Sequence, residues 1–202
     1  EDLLFFRGDN PYVYQKRGNQ LSVLAYIITY LWLKSTVKDG NLLLLDDEKS
    51  FGVFAYEIDG KIITRDLLDS INEIEFLKDN VFNKFENKIE VLEIGAGYGR
   101  LAKWLTKDTT FIYHYYCTDG IAESTFISEY FLKEYHKIDQ VSVVPINQVN
   151  SLMKDQNISL AINIHSFSEM TIDFVKFWID KINKMKIQYL FIVPNSGEGY
   201  KG

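Results

Sequence analysis

Cysteine, surplus positive charge and long apolar runs are all scarce in this sequence. The only cysteine, Cys117, has no internal disulfide partner and no second thiolate for a zinc site, which predicts a reducing, cytoplasmic environment. Acidic residues outnumber basic ones, 28 to 22, for a net charge of −6, and this balance argues against a nucleic-acid partner. The longest apolar run, 21–33, is shorter than the roughly 20 residues of a membrane span and lacks the basic leader of a signal peptide.

The rest of the composition is ordinary for a globular protein, with 47% hydrophobic and 25% charged residues. At 202 residues the chain is long enough for one well-buried core and an appended subdomain. The sequence pattern changes near residue 88, which predicts an N-terminal region over 1–87 and a second domain over 88–202. Because the chain starts with Glu1 and stops in a glycine-rich segment at Gly202, we expect flanking sequence to be missing.

The N-terminal region predicts helices and a β-hairpin. Residues 19–36 are apolar on nearly all sides, which is typical of a buried helix. Residues 51–64 predict two strands joined at Asp59-Gly60, a dipeptide favoured in tight hairpin turns.

Thr64 is well suited to cap a helix over 65–86. The apolar spacing predicts a buried face formed by Leu67, Ile71, Ile74 and Leu77. Four charged side chains are expected on the exposed side of the same helix, namely Arg65, Asp66, Asp69 and Glu73.

From residue 88 onward, apolar strands alternate with helices. Five strands are predicted, at 89–94, 111–118, 141–144, 160–164 and 187–193. Helices are predicted up to residue 105, over 122–135 and over 171–185. This alternation predicts a Rossmann-like α/β fold, in which a parallel sheet has helices on both faces.

The most informative motif is the segment Glu93-Ile94-Gly95-Ala96-Gly97-Tyr98-Gly99-Arg100, which ends the first of these strands and opens a helix. Glycine has no Cβ, so such a turn bends sharply and lets a ligand lie against the backbone. The strand before and the helix after favour a ligand-binding loop over a glycine turn without a ligand.

Two common nucleotide-binding loops fit the motif poorly. The dinucleotide fingerprint needs a third glycine at the position of Arg100, where a bulky side chain would hinder close helix–strand contact. A P-loop is disfavoured because Lys103 comes too late and is not followed by Ser or Thr. An NAD-dependent oxidoreductase therefore stays only as an alternative.

The spacing Glu-x-Gly-x-Gly-x-Gly closely resembles the first motif of class I S-adenosylmethionine-dependent methyltransferases. The resemblance implies S-adenosylmethionine as the cofactor, bound by the segment Glu93, Gly95, Ala96, Gly97, Tyr98 and Gly99. A carboxylate beside the loop suits a ligand with a cationic sulfur and would repel a pyrophosphate.

Polar residues after the later strands extend this predicted cofactor site. Asp119 follows the next strand about 20 residues after the loop, the offset at which Rossmann-type sites place a ribose-binding carboxylate. We therefore predict that Asp119 and Gly120 bind the ribose, with an ordinary Asp-Gly turn as the alternative. Asn147 is predicted near the adenine and Asn163 near the cofactor, although loop polarity explains Asn147 equally well.

Three stretches together resemble the sugar O-methyltransferases of bacterial surface-polysaccharide clusters. They are residues 63–74, the glycine loop at 91–100, and the segment Asn163-Ile164-His165-Ser166-Phe167-Ser168-Glu169-Met170. The resemblance implies methylation of a sugar or sugar nucleotide and leaves a homo-oligomer open. Class I methyltransferases usually add strands after the fifth, and this chain ends before them. A non-catalytic S-adenosylmethionine-binding domain that serves assembly is the alternative.

His165 and Glu169 are the candidate catalytic residues, because their segment leaves the fourth strand toward the expected methyl donor. A sugar hydroxyl is a poor nucleophile, so a base that accepts its proton would help, and histidine titrates near neutrality. Glu169 is the second candidate, as base or as orienting partner. A satisfied strand-end histidine and a helix N-terminal acid are the structural alternatives. No metal is predicted, since the three histidines are too scattered for a local motif; a magnesium site of Asp and Glu is the alternative.

Overall fold

The structure is a computed structural model that describes residues 4–8, 20–107, 110–152 and 156–195. The chain divides into two compact units, Glu1–Lys84 and Phe85–Gly202. The boundary expected from the sequence, after residue 87, falls just past this division. Of the helices in the described ranges, none is long and apolar enough to cross a membrane.

In the first unit, helix α1 (Gln20–Thr36) precedes a hairpin of strands β1 (Ala55–Ile58) and β2 (Lys61–Thr64). The two strands are antiparallel, with Ala55 opposite Thr64 and Ile58 opposite Lys61. Asp59 and Gly60 between them have φ values of 51° and 73°, the left-handed conformations of a two-residue hairpin turn. The predicted hairpin and its turn are confirmed.

Helix α2 (Arg65–Asn80) begins at the predicted cap, where the Thr64 hydroxyl accepts a hydrogen bond from the backbone N–H of Leu67 at 3.0 Å. Its buried face contains the four predicted apolar residues. The helix ends at Asn80, short of the predicted residue 86, and a 3-10 turn (Phe82–Lys84) follows.

Two acidic residues of α2 that were expected to be exposed are buried, Asp66 at 6% and Glu73 at 7% relative exposure. Arg7 donates to Asp66 at 3.4 Å and to Asp47 at 2.6 Å. The expectation is wrong for both residues. For Asp66 the reason is that a guanidinium 59 residues away compensates the buried carboxylate, which helical periodicity cannot reveal.

The second unit is built on a five-stranded sheet in which every pairing is parallel. Its strands are β3 (Ile89–Ile94), β4 (Ile112–Thr118), β5 (Val141–Val143), β6 (Ile158–Ile164) and β7 (Tyr189–Val193). Their spatial order is β5-β4-β3-β6-β7. The order reverses at β3, and Rossmann-like folds bind ligands at the carboxyl ends of the strands beside such a reversal.

The strands are connected by α3 (Arg100–Leu105), α4 (Ala122–Glu129), α5 (Val149–Leu152) and α6 (Ile172–Lys184). On one face of the sheet, Leu92 and Ile94 of β3 pack in a core with Trp178 of α6. Side chains alternate along a strand, so Glu93 faces the opposite layer. The predicted Rossmann-like α/β fold is confirmed.

The structure differs from the sequence-based prediction in the helix after β4. An α-helix is predicted over 122–135, whereas α4 ends at Glu129 and continues as a π-helix (Tyr130–Tyr135). The backbone N–H of His136 donates to the carbonyl of Phe131, five residues earlier, at 3.0 Å. π-helical turns are rare overall, and those that occur are often found at functional sites. The spacing of hydrophobic residues does not distinguish a π-helix from an α-helix.

Candidate functional site

The glycine loop, residues 95–99, connects β3 to α3. Gly95, Gly97 and Gly99 have φ values of 74°, 58° and 88°, in the left-handed region that glycine adopts without strain. The backbone N–H groups of Gly95 and Ala96 both donate to the carbonyl of Thr118, at 2.8 and 3.1 Å. The end of β4 therefore anchors one side of the loop.

The three glycines have different surroundings. A Cβ added at Gly95 would lie 2.1 Å from Ser166 Oγ, and one at Gly99 would lie 2.4 Å from Leu132 Cδ1. A Cβ at Gly97 would meet no atom within 4 Å. Packing inside the protein therefore requires glycine at 95 and 99, whereas the backbone at Gly97 faces open space, as expected where a ligand lies against the loop.

Glu93 lies near the end of β3 and is 4% exposed. Its carboxylate accepts a hydrogen bond from the Tyr115 hydroxyl at 2.9 Å. Burial, followed by the charge of Glu93, raises the pKa of the Cys117 thiol. Glu93 is thus held in the layer that contains Tyr115 and Cys117, and its contact with a ligand stays a prediction.

Asp119 joins the end of β4 to the glycine loop. Its Oδ2 accepts the N–H of Gly97 at 2.9 Å, and its Oδ1 accepts the N–H of Ile121 at 2.9 Å. Burial raises the pKa of Asp119, the backbone N–H groups oppose this effect, and the charge of Glu169 adds to it. Because a carboxylate has about four acceptor positions, Asp119 keeps capacity for a ribose hydroxyl. The neighbouring Gly120 is exposed.

Asn163, at the end of β6, is completely buried. Its Nδ2 donates to the carbonyl of Ile94 at 2.9 Å, and its Oδ1 accepts the N–H of Phe167 at 2.9 Å. These contacts are with the protein segment that carries the loop. A direct contact between Asn163 and the cofactor therefore stays a prediction.

His165 follows β6 with a left-handed backbone, φ 66° and ψ −37°, which is uncommon for a residue with a side chain. Its N–H donates to the carbonyl of Val193 at 2.7 Å. The ring is half-buried, and its buried Nδ1 has no hydrogen-bond partner among the described residues.

Glu169 is exposed and follows the 3-10 turn Ser166–Ser168 that begins after His165. Its Oε1 accepts a hydrogen bond from Asn195 Nδ2 at 3.1 Å. Thr171 occupies the N-cap position of α6 without a side-chain capping bond, so Glu169 lies ahead of that helix and Asp173 is the acid in its first turn.

Asn147 and Tyr98 complete the predicted set. Asn147 is exposed in the 3-10 turn Ile146–Gln148, which follows the carboxyl end of β5. Tyr98 packs edge-on against Phe131 of the π-helix, with ring centroids 5.1 Å apart. The Tyr98 side chain therefore packs the glycine loop against the π-helix.

Sequence reasoning missed three residues that shape this site. Tyr115 bonds Glu93, Ser166 contacts the position of Gly95, and Leu132 contacts the position of Gly99. Ser166 lies inside the 163–170 stretch, so that stretch was the available signal for it. Tyr115 and Leu132 look like ordinary core residues in the sequence. In the described parts of the chain, no group of three or more His, Cys, Asp or Glu side chains is placed to hold a metal ion.

Comparison with known proteins gives matches to solved structures only, since no family model and no curated protein matches the chain. The methyltransferase domain of bacterial CtHen1 has a TM-score of 0.50 at 17% identity, over 63% of this chain and 65% of that one. A protein of uncharacterised function from Listeria monocytogenes has a TM-score of 0.46 at 12% identity, over 61% and 50%. TrmK of M. capricolum, solved in complex with S-adenosylhomocysteine, has a TM-score of 0.42 at 14% identity, over 60% and 52%.

The chain spans less than two thirds of the length of each of these structures. At 17% identity, the similarity to the CtHen1 domain shows the fold. The chain therefore shares a Rossmann-like α/β fold with that domain.

Proposed function

We propose that this chain binds S-adenosylmethionine at the glycine loop and transfers its methyl group to a hydroxyl of a sugar or sugar nucleotide. The observation that carries the proposal is the open space over Gly97, beside the Asp119 carboxylate that accepts the Gly97 N–H. When bound, the cofactor would supply an electrophilic methyl group on a sulfonium. The residues of the chain would bind it, orient the acceptor and accept the acceptor's proton.

The charges near the loop suit a cationic nucleoside better than a pyrophosphate. Glu93 precedes the loop, Asp119 bonds to it, and residues 95–99 include neither Lys nor Arg. Carboxylates attract a sulfonium and repel phosphates, most strongly where burial lowers the local dielectric constant. Asp119 would accept the ribose hydroxyls, and the bare backbone at Gly97 would contact the ligand.

His165 would accept the proton of the acceptor hydroxyl. Its ring is only half-buried, and its strained backbone is of the kind found at active sites. Glu169, four residues later and exposed, would orient the acceptor or serve as the base itself. A positioned base contributes about 100-fold to 10,000-fold to such reactions.

The choice of a sugar acceptor is supported by the resemblance of residues 63–74, 91–100 and 163–170 to sugar O-methyltransferases. The last of these stretches contains both His165 and Glu169. The hydroxyl groups of a saccharide are neutral and weakly nucleophilic, so methyl transfer to one of them is helped by a base. This chemistry agrees with a turn that offers one histidine and one exposed carboxylate.

Binding of the cofactor is tested by calorimetry and thermal melting with S-adenosylhomocysteine, and with NADH in parallel. We expect binding and stabilisation by the former alone. Gly97→Ala should weaken that binding by roughly tenfold or more, because overpacking by one methyl group costs about 1–3 kcal/mol. Gly60→Ala is the matched control, since Gly60 also has a left-handed φ, 73°, and no atom within 4 Å of its Cβ position.

Both glycine variants bear the same backbone strain, about 1–2 kcal/mol, so their stabilities should fall alike. Equal binding of S-adenosylhomocysteine by the two variants would show that no ligand lies over Gly97. Binding of NADH in preference to S-adenosylhomocysteine would favour the oxidoreductase alternative.

The catalytic assignment is tested with a labelled methyl donor and a panel of sugars and sugar nucleotides. His165→Ala should lower kcat by about 100-fold or more, whereas the affinity for S-adenosylhomocysteine should change little. If His165→Ala and Glu169→Gln both keep the full rate, the base is another group. Cofactor binding without transfer to any acceptor would favour the assembly-domain alternative.

A further inference from the structure

At the carboxyl end of β3, side chains from the end of β6 and the turn after it bond to the β3 backbone. Backbone pairing of the two strands runs from Glu90 opposite Ile158 to Glu93 opposite Ile162 and then stops. One residue further along β3, the carbonyl of Ile94 accepts hydrogen bonds from Asn163 Nδ2 at 2.9 Å and from Ser166 Oγ at 3.1 Å. We call Asn163, Ser166 and the Ile94 carbonyl the clasp.

The polar groups of the clasp satisfy one another. Asn163 Nδ2 also donates to Ser166 Oγ, so this hydroxyl accepts from Asn163 while it donates to Ile94. The Oδ1 of Asn163 accepts the N–H of Phe167, which ties the following turn to the same amide. Buried polar groups that bond to one another in this way favour a single geometry.

The position of Gly95 is part of the same arrangement. A Cβ there would lie 2.1 Å from Ser166 Oγ and 2.4 Å from Ser166 Cβ. The Ser166 side chain therefore occupies the place that any larger residue at 95 would need. The glycine loop and the turn after β6 fit against each other at this contact.

In the sequence, His165 lies between Asn163 and Ser166. Its left-handed backbone is a conformation that persists only where the surroundings impose it. Ser166 ties the turn to β3 on one side, and the N–H of His165 ties it to Val193 of β7 on the other. The ring with its unpartnered Nδ1 is thus carried by a backbone held from both neighbouring strands.

We propose that Asn163 and Ser166 are positioning residues that act through His165, holding the proton-accepting ring in place relative to the glycine loop. The proposal rests on the proposed function, in which His165 is the base. The loop has further anchors, namely the Thr118 carbonyl and the Asp119 carboxylate. Loss of the clasp should therefore lower the rate of methyl transfer more than the affinity for the cofactor.

Ser166→Ala tests this prediction, with Ser168→Ala as the matched control. Ser168 belongs to the same 3-10 turn, and its hydroxyl accepts the N–H of Asn195 at 3.2 Å. Ser166→Ala should lower kcat by about tenfold to 100-fold, as expected for a misplaced catalytic group. Its affinity for S-adenosylhomocysteine should change by less than about threefold. Losses of similar size in kcat and affinity would overturn the proposal.

A double variant shows whether Ser166 acts through His165. In the His165→Ala background, Ser166→Ala should reduce the remaining rate no further, because the group that it positions is gone. Independent, multiplying losses in the double variant would overturn the proposal.

A measurement on the ligand-free protein separates the clasp from the proposed function. The protein has three histidines, whose ring signals can be followed in ¹H–¹³C spectra. Ser166→Ala should shift or broaden the His165 signal and leave those of His114 and His136 unchanged, and Ser168→Ala should leave the His165 signal in place. An unchanged His165 signal in Ser166→Ala overturns the proposal. A shifted signal, with no methyl transfer by the wild-type protein, supports the clasp and overturns the proposed function alone.

Discussion

Gly95, Gly97 and Gly99 all have a left-handed backbone conformation, but their surroundings differ. The first makes room for Ser166, the third for Leu132, and the second faces open space. A glycine motif therefore combines internal packing with ligand access. Only the surroundings of each position show which of the two purposes it serves.

Burial changes the acid–base chemistry of Asp119. Its carboxylate accepts the N–H of Gly97, which should favour the charged form, yet burial wins and raises its pKa above the ordinary 3.8. The charge of Glu169 acts in the same direction as burial. Protonation of Asp119 therefore begins at a higher pH than for a free aspartate.

This shift predicts a pH dependence of ligand binding. Ribose hydroxyls donate to the ionised carboxylate, so a bound nucleoside should lower the pKa of Asp119, and binding near that pKa should release protons. The affinity is then greatest well above the raised pKa and falls as the pH drops through it. Calorimetry with 5′-methylthioadenosine, from neutral pH down to the most acidic pH at which the protein stays folded, measures this slope.

Two variants serve as controls for the pH dependence. Asp119→Asn should bind more weakly but with little change between these pH values, because the titrating group is gone. Glu169→Gln should keep the slope but move it to lower pH, because a neighbouring negative charge is removed. A wild-type affinity that is constant down to the same acidic pH would contradict the assignment of Asp119 to the ribose.

Among the helices and strands, the π-helix Tyr130–Tyr135 has the clearest structural consequence for the loop. Its neighbouring residues Phe131 and Leu132 contact the neighbouring loop residues Tyr98 and Gly99. A π-helical turn is rarely stable by itself, and it is kept where side-chain packing stabilises it. We interpret the segment as the support of the loop on the side of α4.

This interpretation predicts a coupling between Gly99 and Leu132. Gly99→Ala should destabilise the protein by about 2–4 kcal/mol, from overpacking against Leu132 and from the left-handed φ of 88°. Leu132→Ala should cost about 2–5 kcal/mol, because it leaves a cavity in the core. The double variant should lose at least about 1 kcal/mol less than the sum, since the cavity accepts the new methyl group.

Denaturant unfolding of the three variants measures this coupling. Gly120→Ala is the control partner, because a Cβ at Gly120 meets nothing within 4 Å. Its combination with Leu132→Ala should be additive. Additive losses for Gly99 and Leu132 as well would show that the π-helix does not set the position of the loop.

At the scale of the whole molecule, both units have buried apolar residues, and the first unit also has a buried ionic network. The second unit is built around the apolar core of its sheet, and all of the candidate site residues belong to this unit. The first unit contains a buried ionic network in which Arg7, 2% exposed, bonds Asp47 and Asp66. Asp47 also accepts from the Thr64 hydroxyl, so the network extends to the cap of α2.

Removal of Arg7 should therefore destabilise the first unit selectively. Arg7→Met leaves two buried carboxylates without their guanidinium and should cost about 3–5 kcal/mol. Amide hydrogen exchange should accelerate across 55–80 and stay unchanged across 89–118. Arg65→Met is the matched control, because Arg65 forms a half-exposed pair with Asp69 at 3.2 Å, a type worth about 1 kcal/mol or less. Equal acceleration in both units would show that they unfold together.

The sequence by itself determined the local features of this protein. The alternation of strands and helices, the Asp59-Gly60 turn, the Thr64 cap and the buried face of α2 are all confirmed. Each depends on residues close together in the chain, through hydrophobic period, capping chemistry or the freedom of glycine. For the same reason, the pattern of the sequence is enough to locate the glycine loop and Asp119 at successive strand ends.

Tertiary structure decided which polar groups meet. Asn163 bonds a carbonyl 69 residues away, Arg7 bonds a carboxylate 59 residues away, and the contact of Leu132 with Gly99 joins a π-helix to a loop. Such pairings depend on how strands and helices pack, and no period or motif in the sequence records them. Buried polar groups need partners wherever the fold supplies them, so Asp66 could be buried and Asn163 could become part of the clasp.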